Sequence, residues 1–354
     1  MVMRILQKLV LAVVLISLLS VYMPFPVAGA DEVVTFPDFS LEAAIRDAIE
    51  KPAGAIYQSE VGNLTKLKAE NLGISDITGL EYCDGLTDLS LAYNQISNIN
   101  ALSSLTNLGR LSLRDNQVSD ISALSSLTGL IELDLMDNQI SDISPLSGLI
   151  NLTELTLRGN DISDISSISA LTNLTVLNLW DNQVSDISAL SNLNSLETLD
   201  LEVNQISDIS ALSNLINLVN LNIWNNQISD ISPLVENSGI GTGDYVSLAG
   251  NPLSDKSKND YIPQLQQRGV KGLEGFGPQP TEEDGDEQPT PEDGGPVING
   301  GDEDEGKLNA GVVIGTILGV LVVVSAVYFF VRRGTEAESD EVEEEDEDED
   351  EDKE

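Results

Sequence analysis

Apolar and polar positions along the middle of this chain repeat on a fixed period. Asn94, Asn116, Asn138, Asn160, Asn182, Asn204 and Asn226 recur every 22 residues, each inside a Leu-x-Leu-x-x-Asn order such as Leu133-Asp134-Leu135-Met136-Asp137-Asn138. The two leucines face the same way along a short strand, because side chains alternate. The remainder of each unit, as in Ser141–Leu149, has too few residues for a regular helix before the next strand, so a 3-10 turn or irregular arc is expected. A degenerate unit precedes the series (Leu67, Ala69, Ile74, with Leu72 in the asparagine place). Another follows it after a three-residue insertion (Val246, Leu248, Asn251, Leu253). A fixed period in the twenties predicts a solenoid. About nine turns over 66–253 would stack their strands at ~4.8 Å into a parallel sheet roughly 40 Å long.

The end turns of a solenoid expose core and need covering. Leu41, Ala44, Ile45, Ala48 and Ile49 follow helical spacing, with Ser40 as the expected N-cap, so residues 31–65 read as a helical N-terminal cap. Residues 254–274 read as the C-terminal cap, a helix over Ser254–Arg268 kinked at Pro263.

These repeats resemble the leucine-rich repeat family, most closely the 22-residue type of the bacterial internalin-like surface proteins. Phe36-Pro37-Asp38-Phe39-Ser40-Leu41-Glu42 resembles the cap segment of such proteins. The resemblance covers roughly residues 33–274. It implies a curved α/β-type solenoid whose concave parallel sheet binds a protein or another macromolecule. The period itself leaves the bacterial or archaeal origin of the envelope open.

Two columns read as structural. The asparagine amides (Asn94 to Asn226) sit where the chain leaves the sheet and can satisfy backbone groups of their own and neighbouring turns, each worth ~1–3 kcal/mol if left unpaired. Asp76, Asp120, Asp142, Asp164, Asp186, Asp208 and Asp230, with Asn98 in the gap, are expected to accept backbone N–H groups in tight turns. A calcium ladder is the alternative for that column, but one acid per turn is few oxygens for a cation that takes about six to eight. Cys83 falls in a core column and reads as a buried thiol.

The informative positions are those that do not repeat. Two residues before each column asparagine stand Ala92, Arg114, Met136, Arg158, Trp180, Glu202 and Trp224; both tryptophans of the chain fall there. All are expected to project from the concave face, and all but Ala92, together with Arg110, Glu132, Asp134, Asn178 and Asn222, are expected to form the partner-binding surface. Glu154, Asp200 and Asn220 flank them. Tryptophan and arginine are the residues most enriched at binding hot spots, and paired indoles among amides also suit a glycan. Arg114, Arg158, Trp180 and Trp224 are the strongest candidates. Three Asn-x-Thr sequons begin at Asn63, Asn151 and Asn173; they signify glycosylation only in a host with that machinery.

The two ends set the expected compartment. Residues 1–30 have the basic start, apolar run and Ala-Gly-Ala end of a signal peptide. Leu308–Val331 carries no charge and is followed by Arg332-Arg333. Its ~36 Å as a helix would cross a ~30 Å hydrocarbon core, placing the solenoid outside the cell membrane and the tail in the cytoplasm. Gly311, Gly315 and Gly319 lie on one face of that span, a spacing that lets two helices approach as a dimer. Residues 275–306 are expected to form an acidic, disordered stalk. Residues 332–354, with the acid run Glu343–Asp352, form an acidic cytoplasmic tail.

Composition then narrows the function. The chain of 354 residues has 59 acids, 17 bases and no histidine, a net charge of −42, which argues against nucleic-acid binding. The lack of histidine removes histidine-based triads and imidazole metal sites. No cofactor or metal is implied, and no nucleophile–base pair stands out; Glu132 and Asp134 form only a formal carboxylate pair. The expected function is surface recognition or adhesion without catalysis. The rivals are a ligand sensor that dimerises through the membrane span and recruits a partner by its tail, and a carbohydrate-binding surface protein.

Overall fold

The computed structural model describes residues 31–273. The expected signal peptide, stalk, membrane span (with Gly311, Gly315 and Gly319) and acidic tail lie outside the described residues. Among those described, no helix is long and apolar enough to cross a membrane.

The chain opens with a two-stranded antiparallel ribbon, β1 (Val33–Val34) with β2 (Ile56–Tyr57). Helix α1 (Phe39–Ala48) runs between them, and a single turn, α2 (Gln58–Val61), follows. Nine short parallel strands then form one sheet in chain order: β3 (Lys66–Lys68), β4 (Asp88–Ser90), β5 (Arg110–Ser112), β6 (Glu132–Asp134), β7 (Glu154–Thr156), β8 (Val176–Asn178), β9 (Thr198–Asp200), β10 (Asn220–Asn222) and β11 (Tyr245–Ser247). Strands pair one period apart, Leu89 beside Leu111 and Leu111 beside Leu133. The middle residue of each strand is buried while its neighbours stay partly or fully accessible, which is the alternation expected of a sheet with one face on a core.

The return side of the turns is built from short 3-10 helices, such as Ser122–Ser126, Ser144–Gly148 and Ser188–Asn192. In each case the aspartate two residues ahead accepts the first N–H: Ser122 to Asp120 at 2.9 Å, Ser144 to Asp142 and Ser188 to Asp186 at 2.8 Å. These bonds hold Asp120, Asp142 and Asp186 below the usual carboxylate range. The last such element, α3 (Ser232–Glu236), is a true helical turn. The three-residue insertion follows it, and β11 still finds its register, Asn220 beside Tyr245. The inserted chain passes so close to the Ile216 carbonyl that Gly239 has no room for a Cβ.

Between sheet and arcs the leucines, isoleucines and valines form one continuous core. Cys83 lies in it fully buried, its thiol pushed up to about 12 by that burial.

One expectation about the N-terminal end needs correction. The N-cap of α1 is Asp38, not Ser40: its Oδ1 accepts the N–H of Ser40 at 3.0 Å and of Leu41 at 3.2 Å. Its other oxygen accepts Ser75 at 2.9 Å and Asp76 at 3.3 Å, tying the helix start to the first turn of the solenoid. Ser40 is already inside the helix. Leu41 and Ile45 are buried and Ala44 and Ile49 pack beside them, but Ala48 is exposed because the helix ends there.

At the other end the expected helix over Ser254–Arg268 is present, with an irregularity beside Pro263. Residues 255–267 are continuously helical, and a π-helical turn, Ser257–Tyr261, runs directly into α4 (Ile262–Gln267), so Pro263, which has no N–H to donate, follows a turn of widened pitch. Ile262 and Leu265 are fully buried, and Arg268 donates to the Asn237 and Val235 carbonyls at 3.2 and 2.6 Å.

Candidate functional site

The residues that differ from repeat to repeat gather on the open face of the sheet, the one expected to be concave. Strand ends supply two rows of side chains, and the turn after each strand supplies a third row containing Arg114, Met136, Arg158, Trp180, Glu202 and Trp224. Two kinds of recurring bond hold this third row in place. In four turns the residue at the end of the strand caps the turn: Met136 N–H donates to Asp134 Oδ1 at 3.1 Å, Trp180 to Asn178 at 2.9 Å, Glu202 to Asp200 at 3.0 Å and Trp224 to Asn222 at 3.2 Å. The column asparagine then stitches neighbouring turns. Asn182 Nδ2 lies 3.0 Å from the Leu157 carbonyl of the previous turn and 3.1 Å from that of Leu179, while its Oδ1 accepts Ile162 N–H at 3.0 Å.

Between row and asparagine lies a position that sequence reasoning overlooked. Tyr93, Asp115, Asp137, Gly159, Asp181, Val203 and Asn225 all have left-handed backbone, φ from 51 to 65°. Its signal was present, since five of the seven are Asp, Gly or Asn, the types that tolerate this region. The varied identities hid it. At Gly159 the bend also brings the Asp137 carboxylate over the backbone where a Cβ would stand.

Charge on this face is unevenly settled. Residues 69–255 contain three bases, Arg110, Arg114 and Arg158, and all three are here. Arg110 is clamped by Asp88 at 2.9 Å and Glu132 at 3.0 Å, which raises its pKa. Arg114 meets Asp115 at 3.1 Å and lies over the Tyr93 ring, 5.0 Å from its centre. Arg158 makes no ion pair among the described residues; its guanidinium stacks on Trp180, 3.6 Å from the ring centre. The carboxylates nearby are uneasy: burial pushes Asp134, Asp137, Glu154 and Glu202 above their ordinary values, and Asp200 up to about 6.

The expected site residues therefore do share one face, with corrections of degree. Arg110 is exposed, while Arg114, Glu132, Asp134, Met136, Arg158, Asn178, Trp180, Asn222 and Trp224 are half-buried. The indoles are thus partly packed rather than freely exposed. Glu202 does not project into solvent: it is 7 % exposed in the row between Trp180 and Trp224, and Asn222 Nδ2 donates to its Oε2 at 2.7 Å. Glu132 and Asp134 do not form a pair with each other, since Glu132 is held by Arg110 and Asp134 by the Met136 N–H and the Ser112 hydroxyl at 3.3 Å.

The sequon asparagines stand away from this face with their amides engaged. Asn63 donates to Ser59 at 2.6 Å, and Asn151 and Asn173 each reach a carbonyl of the previous turn at 2.9 Å. Asn107 and Asn217, which begin no sequon, make the same bond at 2.8 and 2.7 Å, so the repeat itself accounts for these two sequons. Among the described residues no group of three or more His, Cys, Asp or Glu is placed to hold a metal ion.

The family described as Leucine Rich repeats (2 copies) matches residues 106–148, 150–192 and 194–236. No curated protein matches the chain. Among solved structures it is similar to internalin C2 of Listeria monocytogenes, with 38% identity and a TM-score of 0.59 over 63% of this chain and 100% of that one. An internalin (inlF) of the same organism is 33% identical, with a TM-score of 0.57 over 69% of this chain and 78% of that one. A leucine-rich repeat protein of Leptospira interrogans is 26% identical, with a TM-score of 0.52 over 60% of this chain and 55% of that one.

Proposed function

From the premise that this chain belongs to the internalin-like leucine-rich repeat family, we propose that it is a cell-surface protein that recognises a macromolecular partner, a protein in the first instance, through the open face of its sheet. The observation that carries this reading is the row Arg158, Trp180, Glu202, Trp224. It sits on a framework whose other columns are uniform leucine and asparagine. Half-buried tryptophans held by capped turns, and an arginine with no ion pair among the described residues, are the pre-organised anchors from which binding energy is drawn. Arg114 and Arg158 would position the partner by charge, and Trp180 and Trp224 would supply apolar contact. Nothing in this arrangement asks for a cofactor or a reacting group.

The compartment is part of the same proposal. A signal peptide over 1–30 and a membrane helix over 308–331 would hold the solenoid outside the cell on the 275–306 stalk, with residues 332–354 in the cytoplasm. Residues 31–273 and their Trp180→Ala/Trp224→Ala variant, matched by circular dichroism, would be tested for binding to intact cells and to a glycan array. Saturable binding to a cell-surface protein, weakened roughly tenfold or more in the variant, is the expected result. Equal binding by both forms would move the site off this face, and selective glycan capture would replace the protein partner.

A further inference from the structure

The aromatic side chains of the turn rows show a regularity with one exception. Tyr93 carries a guanidinium over its ring, that of Arg114 one repeat later, 5.0 Å from the ring centre. Trp180 carries that of Arg158 one repeat earlier, at 3.6 Å. Trp224 has no cation over its ring among the described residues. One repeat before it, where Trp180 has Arg158, stands Glu202, and between 159 and 255 the chain contains neither lysine nor arginine. An indole face attracts a cation, and here the neighbouring groups do so too. Glu202 is 7 % exposed, and Asp200 on β9 lies two residues earlier on the same face. Arg158, whose charge both carboxylates feel, is stacked on Trp180, which stands one repeat before Glu202.

We propose that the open face around β9 and β10 takes a basic segment of a partner protein, one lysine or arginine of which lies against Trp224 with its charge toward Glu202 and Asp200. This rests on the reading of the open face as the binding surface and adds the chemistry of the partner. Charge complementarity argues for it. An acidic segment would meet Asp200 and Glu202 beside Trp224, and an uncharged glycan would leave these two desolvated carboxylates with only Arg158, among the described residues, to offset them. Burial, with Glu202 beside it, pushes Asp200 up to about 6 against the opposing pull of Arg158. The net charge of −42 would also draw a basic partner in from a distance.

Both tryptophans of the chain lie in this row, so their fluorescence reports the site alone, and binding of a basic probe to the acidic tail stays silent. The full chain in detergent micelles would be titrated at physiological salt with a lysine/arginine-rich peptide, an oligoglutamate peptide and a neutral oligosaccharide. A saturable fluorescence change with the basic peptide only, weakened roughly tenfold or more by Asp200→Asn/Glu202→Gln, supports the proposal. The double variant keeps the fold, because Asn178 and Asn222 already make the Asp200 turn bond in the adjacent repeats. No change with the basic peptide, or an undiminished change in the variant, overturns it. A response to oligoglutamate or to the oligosaccharide instead overturns the basic partner and leaves the open-face reading standing. That reading fails separately, if cell binding survives loss of both tryptophans.

Discussion

At the scale of single residues, Asp200 is where binding and stability pull apart. Its carboxyl is pushed up to about 6 by burial, with Glu202 adding to the rise and Asn222 and Arg158 opposing it. A carboxyl raised in the folded state favours folding when protonated, so its contribution is present in full below the unfolded value, near pH 4, and is lost as pH rises through about 6. Asp200→Asn keeps the turn bond to Glu202 N–H and removes the charge. Urea unfolding should show the variant more stable than wild type by about 2 kcal/mol near pH 8, and by about 1 kcal/mol less than that near pH 5. A pH-independent difference would mean that the carboxylate is not desolvated. Val203 gives a second residue-scale test. It is β-branched yet has φ of 53°, a region that costs such a residue ~1–2 kcal/mol. Asn225 takes the same place one turn later, so Val203→Asn should raise the urea midpoint by an amount equivalent to about 1 kcal/mol. The sequence displayed the asparagine column because its identity never changes. It concealed the left-handed column because Tyr, Asp, Gly, Val and Asn all occupy it, and what they share is a backbone angle rather than a side chain.

At the scale of the element, each turn is held by its strand pairing, its aspartate cap and its asparagine stitch, and the stitch is the one that joins neighbours. Asn138 Nδ2 reaches the Leu113, Leu135 and Met136 carbonyls at 3.0, 3.1 and 3.1 Å, and its Oδ1 accepts Val118 N–H at 3.0 Å. Asn138→Ala strands a carbonyl and an N–H of the preceding turn and should cost about 3 kcal/mol. Hydrogen exchange should show Val118 N–H losing protection while turns several repeats away keep theirs. Uniform loss would contradict a stitch that acts between neighbours. Strand and arc positions were legible because their period fixes them. The N-cap of α1 was not: Ser40 and Asp38 are both good capping types, and only the fold shows Asp38 spending its second oxygen on Ser75 and Asp76. The depth of Glu202 was equally hidden. Counting back from the asparagine gives its row, but how far a charged side chain sinks depends on the two large neighbours one repeat to either side.

At the scale of the whole molecule, the solenoid has no contacts that close it on itself: strand follows strand in chain order from β3 to β11, and each turn rests on its neighbours. Stability in such an array is close to a sum over turns and the interfaces between them, so damage at an end should stay at that end. The C-terminal cover offers the cleanest trial. Leu265 on α4 is fully buried, and Arg268 just beyond it ties the element back to the Val235 and Asn237 carbonyls. Leu265→Asp places a charge where core was and should lift the cover without touching any repeat. The last turn, with Val246 and Leu248, would then meet water. Hydrogen exchange should rise in β10 and β11 first and remain slow from β4 to β7, and the thermal transition should broaden toward lower temperature. A sharp transition shifted as one block, with protection lost together from β3 to β11, would mean that the turns are coupled over the full length of the stack. The open face would then respond as a unit to whatever binds at Trp224, and substitutions as far away as β4 would alter that affinity.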